Sequence, residues 1–136
     1  MTRQDIFIDA PGNVYVCGTF NAPYLYFSNT GSILQNTNLI QYRSDIFICK
    51  YGPMGNVIWM RKEGSAEHDE ASNIAVSPGG NFYISGGFLS LSISFVGSPL
   101  VNVDPTGYTS DIFLTKYNSS GIPQWARRCG SNTDDV

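Results

Sequence analysis

The sequence predicts an all-β fold made of two tandem repeats, each with four antiparallel strands. Residues 44–65 and 110–131 share 11 of 22 positions at an offset of 66 residues. Upstream of them, residues 5–20 and 73–88 share 6 of 16 positions at an offset of 68. Turn signals containing glycine recur throughout, and no long segment has the helical period of about 3.6 residues. Strands joined by tight turns are therefore predicted in both repeats.

Four strands are predicted in the second repeat, near residues 73–77, 82–88, 111–117 and 123–129. The segments SPGG and NSSG supply the turns within the first and second pairs of strands. Between the two pairs, an apolar patch at 93–96 predicts one further short strand or a segment that packs against the sheet edge.

The third strand of each repeat indicates how the sheets pack. Residues 46–48 and 112–114 are each three consecutive apolar residues, whereas a strand with one wet face alternates apolar and polar residues. Both faces must therefore be covered, and without helices only other sheets can cover them. Four-stranded sheets stacked around an axis form a β-propeller, with one blade for residues 1–66 and another for 67–136.

The last strand of each repeat has the character of a sheet edge. Pro123 lacks the N–H that a central strand needs. Basic residues follow the tryptophan in both repeats, at Arg61, Lys62, Arg127 and Arg128, and such residues discourage further pairing at an open edge.

The repeated pattern D-I-F-x-x-K-Y-x-x-x-G-x-x-x-W, followed by G-S, acidic residues and I-A-V-x-P-x-G-N-x-Y-x-x-G-x-F, resembles the SBBP β-propeller repeat. The resemblance covers nearly the whole chain. It implies a propeller fold and an interaction or surface role, with no common catalytic residues. The first repeat carries the signature at Asp45, Phe47, Lys50, Tyr51, Gly55 and Trp59, and the second carries it at Asp111, Phe113, Lys116, Tyr117, Gly121 and Trp125.

The two tryptophans, Trp59 and Trp125, occupy matching positions. An aromatic binding stripe is one interpretation. Packing between blades is favoured, because burying a tryptophan stabilises a fold by roughly 3–5 kcal/mol without any ligand.

The acidic residues Asp69, Glu70, Asp134 and Asp135 are weak candidates for a metal site. Adjacent carboxylates can contribute to Ca²⁺ binding, but the spacing of a calcium-binding loop is absent. We expect them to cap loops by hydrogen bonding, and neighbouring residues of an extended segment point apart, which disfavours an acid–base pair. No catalytic residue, metal or cofactor is predicted.

His68 is the only histidine, with Ser65, Ser72 and Asp69 nearby in sequence. A Ser-His-Asp site is conceivable, but such sites are recognised by geometry rather than by chain proximity. Asp134 stands at the matching position of the other repeat, so a surface loop is predicted for His68.

The three cysteines, Cys17, Cys49 and Cys129, have no paired spacing and are predicted to be free thiols. A net charge of -3 argues against a nucleic-acid partner. No stretch approaches the roughly 20 apolar residues of a membrane span, and no signal peptide is visible, which slightly favours the cytoplasm.

Three functions agree with these features. The favoured one is a non-enzymatic propeller that binds a protein or glycan or serves as a structural part. An enzyme would need Asp69, Glu70 and His68 to converge on the ring axis. The third is an excised or engineered two-repeat piece of a larger propeller, with no activity of its own.

The ends of the sequence predict self-assembly. Residues 134–136 align with 68–70, and the residues that match position 71 onward stand at 3–5. Two blades cannot close a ring, because propellers typically need about 4 to 8. Identical chains would therefore join head to tail, with a trimer favoured over a tetramer.

Overall fold

The computed structural model describes residues 4–28, 30–37, 43–106 and 108–135, and this part of the chain is all β without a helix, which confirms the predicted fold class. The alignment of residues 3 and 136 in the assembly argument lies outside the described residues. No helix in the described part is long and apolar enough to cross a membrane.

The strands are β1 (Gln4–Ile8), β2 (Val14–Phe20), β3 (Tyr24–Tyr26), β4 (Ile33–Gln35), β5 (Asp45–Tyr51), β6 (Val57–Glu63), β7 (Asp69–Val76), β8 (Phe82–Phe88), β9 (Ser92–Ile93), β10 (Leu100–Val101), β11 (Asp111–Tyr117) and β12 (Pro123–Cys129).

Eight of these strands form two four-stranded antiparallel sheets of the same design. The first sheet has the order β1-β2-β5-β6 and the second the order β7-β8-β11-β12. We call them blade 1 and blade 2. The last pairing shifts register once in each blade, between Lys50 and Tyr51 and between Lys116 and Tyr117. As predicted, β12 lies at a sheet edge and begins at Pro123, where the missing N–H breaks no ladder.

Tight turns join the first two strands of each blade. Gly12 and Gly80 have φ angles of 94° and 84°, a left-handed conformation that glycine adopts at low cost. The Gly80 N–H donates to the carbonyl of Ser77 at 2.9 Å. The turn predicted at SPGG is confirmed, and Gly12 forms the corresponding turn of blade 1, where its N–H donates to the carbonyl of Asp9 at 3.0 Å.

Strand β7 is longer than the sequence predicts. The expected strand was 73–77, whereas β7 begins at Asp69. Its pairing with β8 shifts register between Ala71 and Asn73, because of a bulge. Opposite the bulge, a side chain at Gly86 would collide with the carbonyl oxygen of Glu70. The predicted start was wrong because a bulge interrupts the period of two residues that marks a strand.

The long connection inside each blade folds into a small hairpin. In blade 1 β3 pairs with β4, and in blade 2 β9 pairs with β10. The extra strand expected at 93–96 is present, but it covers Ser92–Ile93, and its partner strand Leu100–Val101 was not predicted. Phe95 packs on Phe113 with ring centroids 4.8 Å apart, so this connection covers part of its own blade.

The main core lies between the two blades. Antiparallel partners share a face, so Tyr15, Lys50 and Trp59 lie on one face of blade 1. On the facing surface of blade 2, the ring of Phe82 stacks on Trp59 at 5.4 Å and on Tyr117 at 4.9 Å. The prediction that sheets cover sheets is therefore confirmed.

Candidate interaction surfaces

Trp59 packs between the blades, as predicted. Its ring lies 18° from the plane of the Phe82 ring, and its indole N–H donates to the carbonyl of Ser119 at 3.3 Å. A Cβ added to Gly121 would lie 3.1–3.3 Å from atoms of the indole. The turn between β11 and β12 can therefore approach Trp59 this closely because its last residue is glycine.

Arg61 extends the same contact. Its guanidinium donates to the carbonyl of Gly121 at 2.9 Å and pairs with Glu63. The Tyr117 hydroxyl donates to the Glu63 carboxylate at 3.2 Å. Burial raises the pKa of Glu63, and Arg61 beside it opposes that increase. The sequence predicts that Arg61 protects an open sheet edge, whereas the structure places its guanidinium in the interface between blades.

Blade 2 presents the equivalent residues on a largely open surface. Trp125 matches Trp59 and is half-buried, while Arg127 beside it is exposed. Leu114 is 42% exposed, although its counterpart Ile48 is fully buried between the blades. We call the surface formed by Leu114, Trp125 and Arg127 the leading face.

Blade 1 presents a second open surface on the opposite side. Ile6 and Ile8 on β1 are 59% and 62% exposed, whereas Ile74, the counterpart of Ile6, is 7% exposed because blade 1 covers it. Gly55 has a φ of 86°, and a Cβ added there would meet nothing within 4 Å. We call the surface formed by Ile6, Ile8 and the turn 52–55 the trailing face.

The repeat-signature residues divide between these surfaces and the core. Those of the first repeat lie on β5, β6 and their turn, and those of the second lie on β11, β12 and theirs. Trp59 and Gly121 meet at the interface between blades, while Trp125 and Gly55 lie on the two open faces. The structure thus brings one tryptophan–glycine pair together and leaves its duplicate apart.

Asp69 is fully buried at the start of β7. Its Oδ2 accepts the amide N–H of Ser65 at 2.8 Å and the hydroxyl of Ser90 at 3.1 Å. Burial raises the pKa of Asp69 to about 7, although these hydrogen bonds act in the opposite direction. The predicted loop-capping role is confirmed for this residue.

The other acidic candidates are dispersed. Asp134 accepts the amide N–H of Ser110 at 2.8 Å, and Asp135 accepts that of Ser131 at 2.6 Å. Glu70 lies apart from both, on β7. Within the described ranges, no three His, Cys, Asp or Glu side chains form a group able to hold a metal ion.

Asp45 and Asp111 are signature residues whose contacts the sequence does not predict. Each is fully buried and lies near a basic residue of the last strand, at 3.7 Å from Lys62 and 3.6 Å from Arg128. The identical spacing of 17 residues in both repeats was the available signal. The Oδ1 atoms have no hydrogen-bond partner among the described residues. Both carboxylates thus fix the start of a central strand to its edge strand.

His68 lies at the surface, as predicted, but not beside the serines considered for it. Its Nδ1 contacts the hydroxyl of Ser44, and its Nε2 is 3.7 Å from the Glu70 carboxylate. Ser44 is 2% exposed, and its hydroxyl also donates to the carbonyl of Asp69 at 3.2 Å. Because Ser44 is buried, a bound substrate could not reach its hydroxyl. Ser65 donates its hydroxyl to the carbonyl of Ser92.

All three cysteines are free, as predicted. Cys17 and Cys49 are buried, and burial raises the pKa of Cys17 to about 12 and that of Cys49 to about 11. Both thiols therefore stay protonated at neutral pH and are poor nucleophiles. Cys129 is exposed at the end of β12.

No protein-family model matches the chain. The chain is 32% identical over 132 residues to an uncharacterized WD repeat-containing protein of Acanthamoeba polyphaga mimivirus, with 93% of the chain and 10% of that protein covered. It is also 28% identical over 100 residues to the regulatory protein FlaEY of Caulobacter vibrioides, with 74% of the chain and 10% of that protein covered. The chain thus spans about a tenth of the length of these curated relatives. Together with the two repeated sheets, the first similarity points to a β-propeller repeat protein.

Proposed function

We propose that the chain is a non-enzymatic β-propeller module of the SBBP type that acts as a protein-interaction scaffold and joins copies of itself head to tail in a closed ring. Its blades are the units 1–66 and 67–136. The similarity to a WD repeat-containing protein supports a scaffold. The engagement of Ser44, Asp69 and Asp134 in hydrogen bonds at strand starts and turns favours a scaffold over an enzyme.

One observation carries this proposal: the open faces repeat the two surfaces that already pack together inside the chain. Ile74 is 7% exposed and Ile6 is 59% exposed, although both occupy the same position in their repeats. Exposed apolar surface favours association, by about 25 cal/mol for each Å² buried. A leading face on one copy and a trailing face on the next form a heterologous contact, which closes when the rotation divides the circle.

The number of chains in the ring follows from two blades per chain. Because propellers typically have about 4 to 8 blades, three chains would form a ring of about six blades and four chains a ring of about eight. We favour the trimer, since the added hairpins β3–β4 and β9–β10 make each blade wide and fewer wide blades fit around an axis.

Light scattering combined with native mass spectrometry tests the proposal. We expect a single species with three or four times the mass of one chain at micromolar concentration. A stable, soluble monomer would refute self-assembly, and an odd number of blades would refute the two-blade unit.

A further inference from the structure

In one contact of the interface between blades, side chains of blade 1 bind backbone atoms of blade 2. Trp59 and Arg61 donate to the carbonyl oxygens of Ser119 and Gly121, at 3.3 and 2.9 Å. Both acceptors belong to the backbone of a turn. The turn needs a glycine at its last position, Gly121. A Cβ added there would lie only 3.1–3.3 Å from atoms of the Trp59 indole. We call this arrangement the Trp/Arg–turn contact.

The turn of blade 1 has the same shape as the turn of blade 2 and is open. The Gly55 N–H donates to the carbonyl of Gly52 at 3.0 Å, and the Gly121 N–H donates to that of Asn118 at 3.0 Å. The φ angles of the two glycines are 86° and 81°. An indole covers Gly121, whereas the position of an added Cβ on Gly55 has no atom within 4 Å.

We infer that Trp125 and Arg127 bind the turn 52–55 of a second copy of this chain. By the offset of 66 residues, the indole N–H donates to the carbonyl of Pro53 and the guanidinium to the carbonyl of Gly55. This inference rests on the proposed self-assembly and names the contact that fixes how one copy sits on the next.

A second copy fits because its trailing face continues the pattern of the existing interface. The residues around the turn 52–55 have the same apolar or aromatic character as those that Trp59 and its neighbours already cover on blade 2. The matching pairs are Ile6 and Ile74, Ile8 and Val76, Phe47 and Phe113, and Tyr51 and Tyr117.

Two aromatic positions differ and increase the share of the Trp/Arg–turn contact between copies, while Cys129 stands at the position where Glu63 pairs with Arg61. Phe82, which stacks on Trp59, is replaced by Val14 on the trailing face, and Phe7 of blade 1 is replaced by Ala75 beside the leading face. The aromatic stack is therefore shorter between copies than between the blades of one chain. We expect substitutions in the Trp/Arg–turn contact to dissociate the assembly without unfolding the chain.

Two variants and one control test the inference. The leading variant, Trp125→Ala with Arg127→Ala, removes both donors. The trailing variant, Gly55→Asn, places a side chain where the indole should pass, and asparagine tolerates the left-handed conformation. The matched control is Gly31→Asn, because Gly31 has a φ of 68° and open space around an added Cβ but belongs to the connection between β3 and β4 and not to the residues that define either face.

Native mass spectrometry should find the wild type and the control assembled, and each variant alone as a single chain with an unchanged circular dichroism spectrum. An equimolar mixture of the two variants should yield a one-to-one complex, because the trailing variant keeps Trp125 and the leading variant keeps an intact turn. Assembly of either variant alone to the wild-type mass, or the absence of the mixed complex, would overturn this contact while leaving self-assembly in place. A monomeric wild type would instead overturn the proposed function.

Discussion

The buried carboxylate of Asp69 couples folding to pH. Burial raises its pKa to about 7 from an ordinary value of 3.8, and the neighbouring carboxylate of Asp45 acts in the same direction, against the hydrogen bonds from Ser65 and Ser90. Because the folded-state pKa lies above the unfolded value, protonation of Asp69 favours the folded state. Its contribution to stability is complete below pH 4 and is lost as the pH rises through 7.

We expect Asp69→Asn to remove this dependence on pH. Asparagine keeps an oxygen that can accept hydrogen bonds from Ser65 and Ser90 but carries no charge. Relative to the variant, the free energy of unfolding of the wild type should fall by up to about 4 kcal/mol between pH 4 and pH 8, since one pKa unit corresponds to ~1.4 kcal/mol. Urea denaturation at a series of pH values measures the difference.

Asp135→Asn is the matched control for this prediction. Asp135 occupies the equivalent position and accepts the amide N–H of Ser131, as Asp69 accepts that of Ser65, but it is less buried. The stability of this variant relative to the wild type measures what replacing aspartate by asparagine costs at the more exposed copy of the same contact. Parallel curves for the wild type and Asp69→Asn would show that Asp69 is already charged in the folded protein at neutral pH.

At the scale of elements, the turn between β11 and β12 depends on a glycine for contact and not only for conformation. Gly121 and Gly97 both have left-handed φ angles, of 81° and 71°, but only Gly121 faces an indole at 3.1–3.3 Å from an added Cβ. Asparagine adopts this conformation with little strain. We expect Gly121→Asn to lower the free energy of unfolding by about 1–3 kcal/mol more than Gly97→Asn, as in overpacked cores.

Chemical denaturation monitored by circular dichroism measures both variants, and tryptophan fluorescence reports whether Trp59 has moved. Equal losses of stability would mean that Trp59 shifts aside at little cost, and that the close approach of the turn contributes little to the packing of the blades.

The elements of the second repeat show what a pattern can predict. The bounds 82–88, 111–117 and 123–129 agree with β8, β11 and β12, because a turn containing glycine borders each strand at one end. The start of β7 was missed because its bulge hides the alternation. The hairpin β9–β10 was only partly predicted, since strands of two residues are too short to show a period.

At the scale of the whole molecule, the repeat predicts which residues pack between blades, but it does not predict their contact partners. The matching positions of Trp59 and Trp125 predicted packing between blades. The acceptor of the Trp59 indole N–H is Ser119, 60 residues away. Which turn meets which tryptophan depends on how one sheet is rotated on the next, and no local periodicity encodes that rotation. The contact between Arg61 and Gly121 was missed for the same reason.

Self-assembly should also make the stability of the folded chain depend on protein concentration. If folded chains bind one another and unfolded chains do not, mass action stabilises the assembly as the concentration rises. For three chains per ring, a tenfold increase in concentration adds about 0.9 kcal/mol per chain to the free energy of unfolding. This raises the midpoint of thermal unfolding by roughly 3 °C for a domain of this size.

Thermal unfolding followed by circular dichroism over a hundredfold range of concentration measures the shift. The leading variant should unfold at a lower temperature that does not change with concentration, because its Trp125 and Arg127 donors are absent, while Gly31→Asn should follow the wild type. A wild-type midpoint that stays constant over the whole range would mean that the chains unfold as independent monomers, with the faces around Ile6 and Leu114 exposed to water.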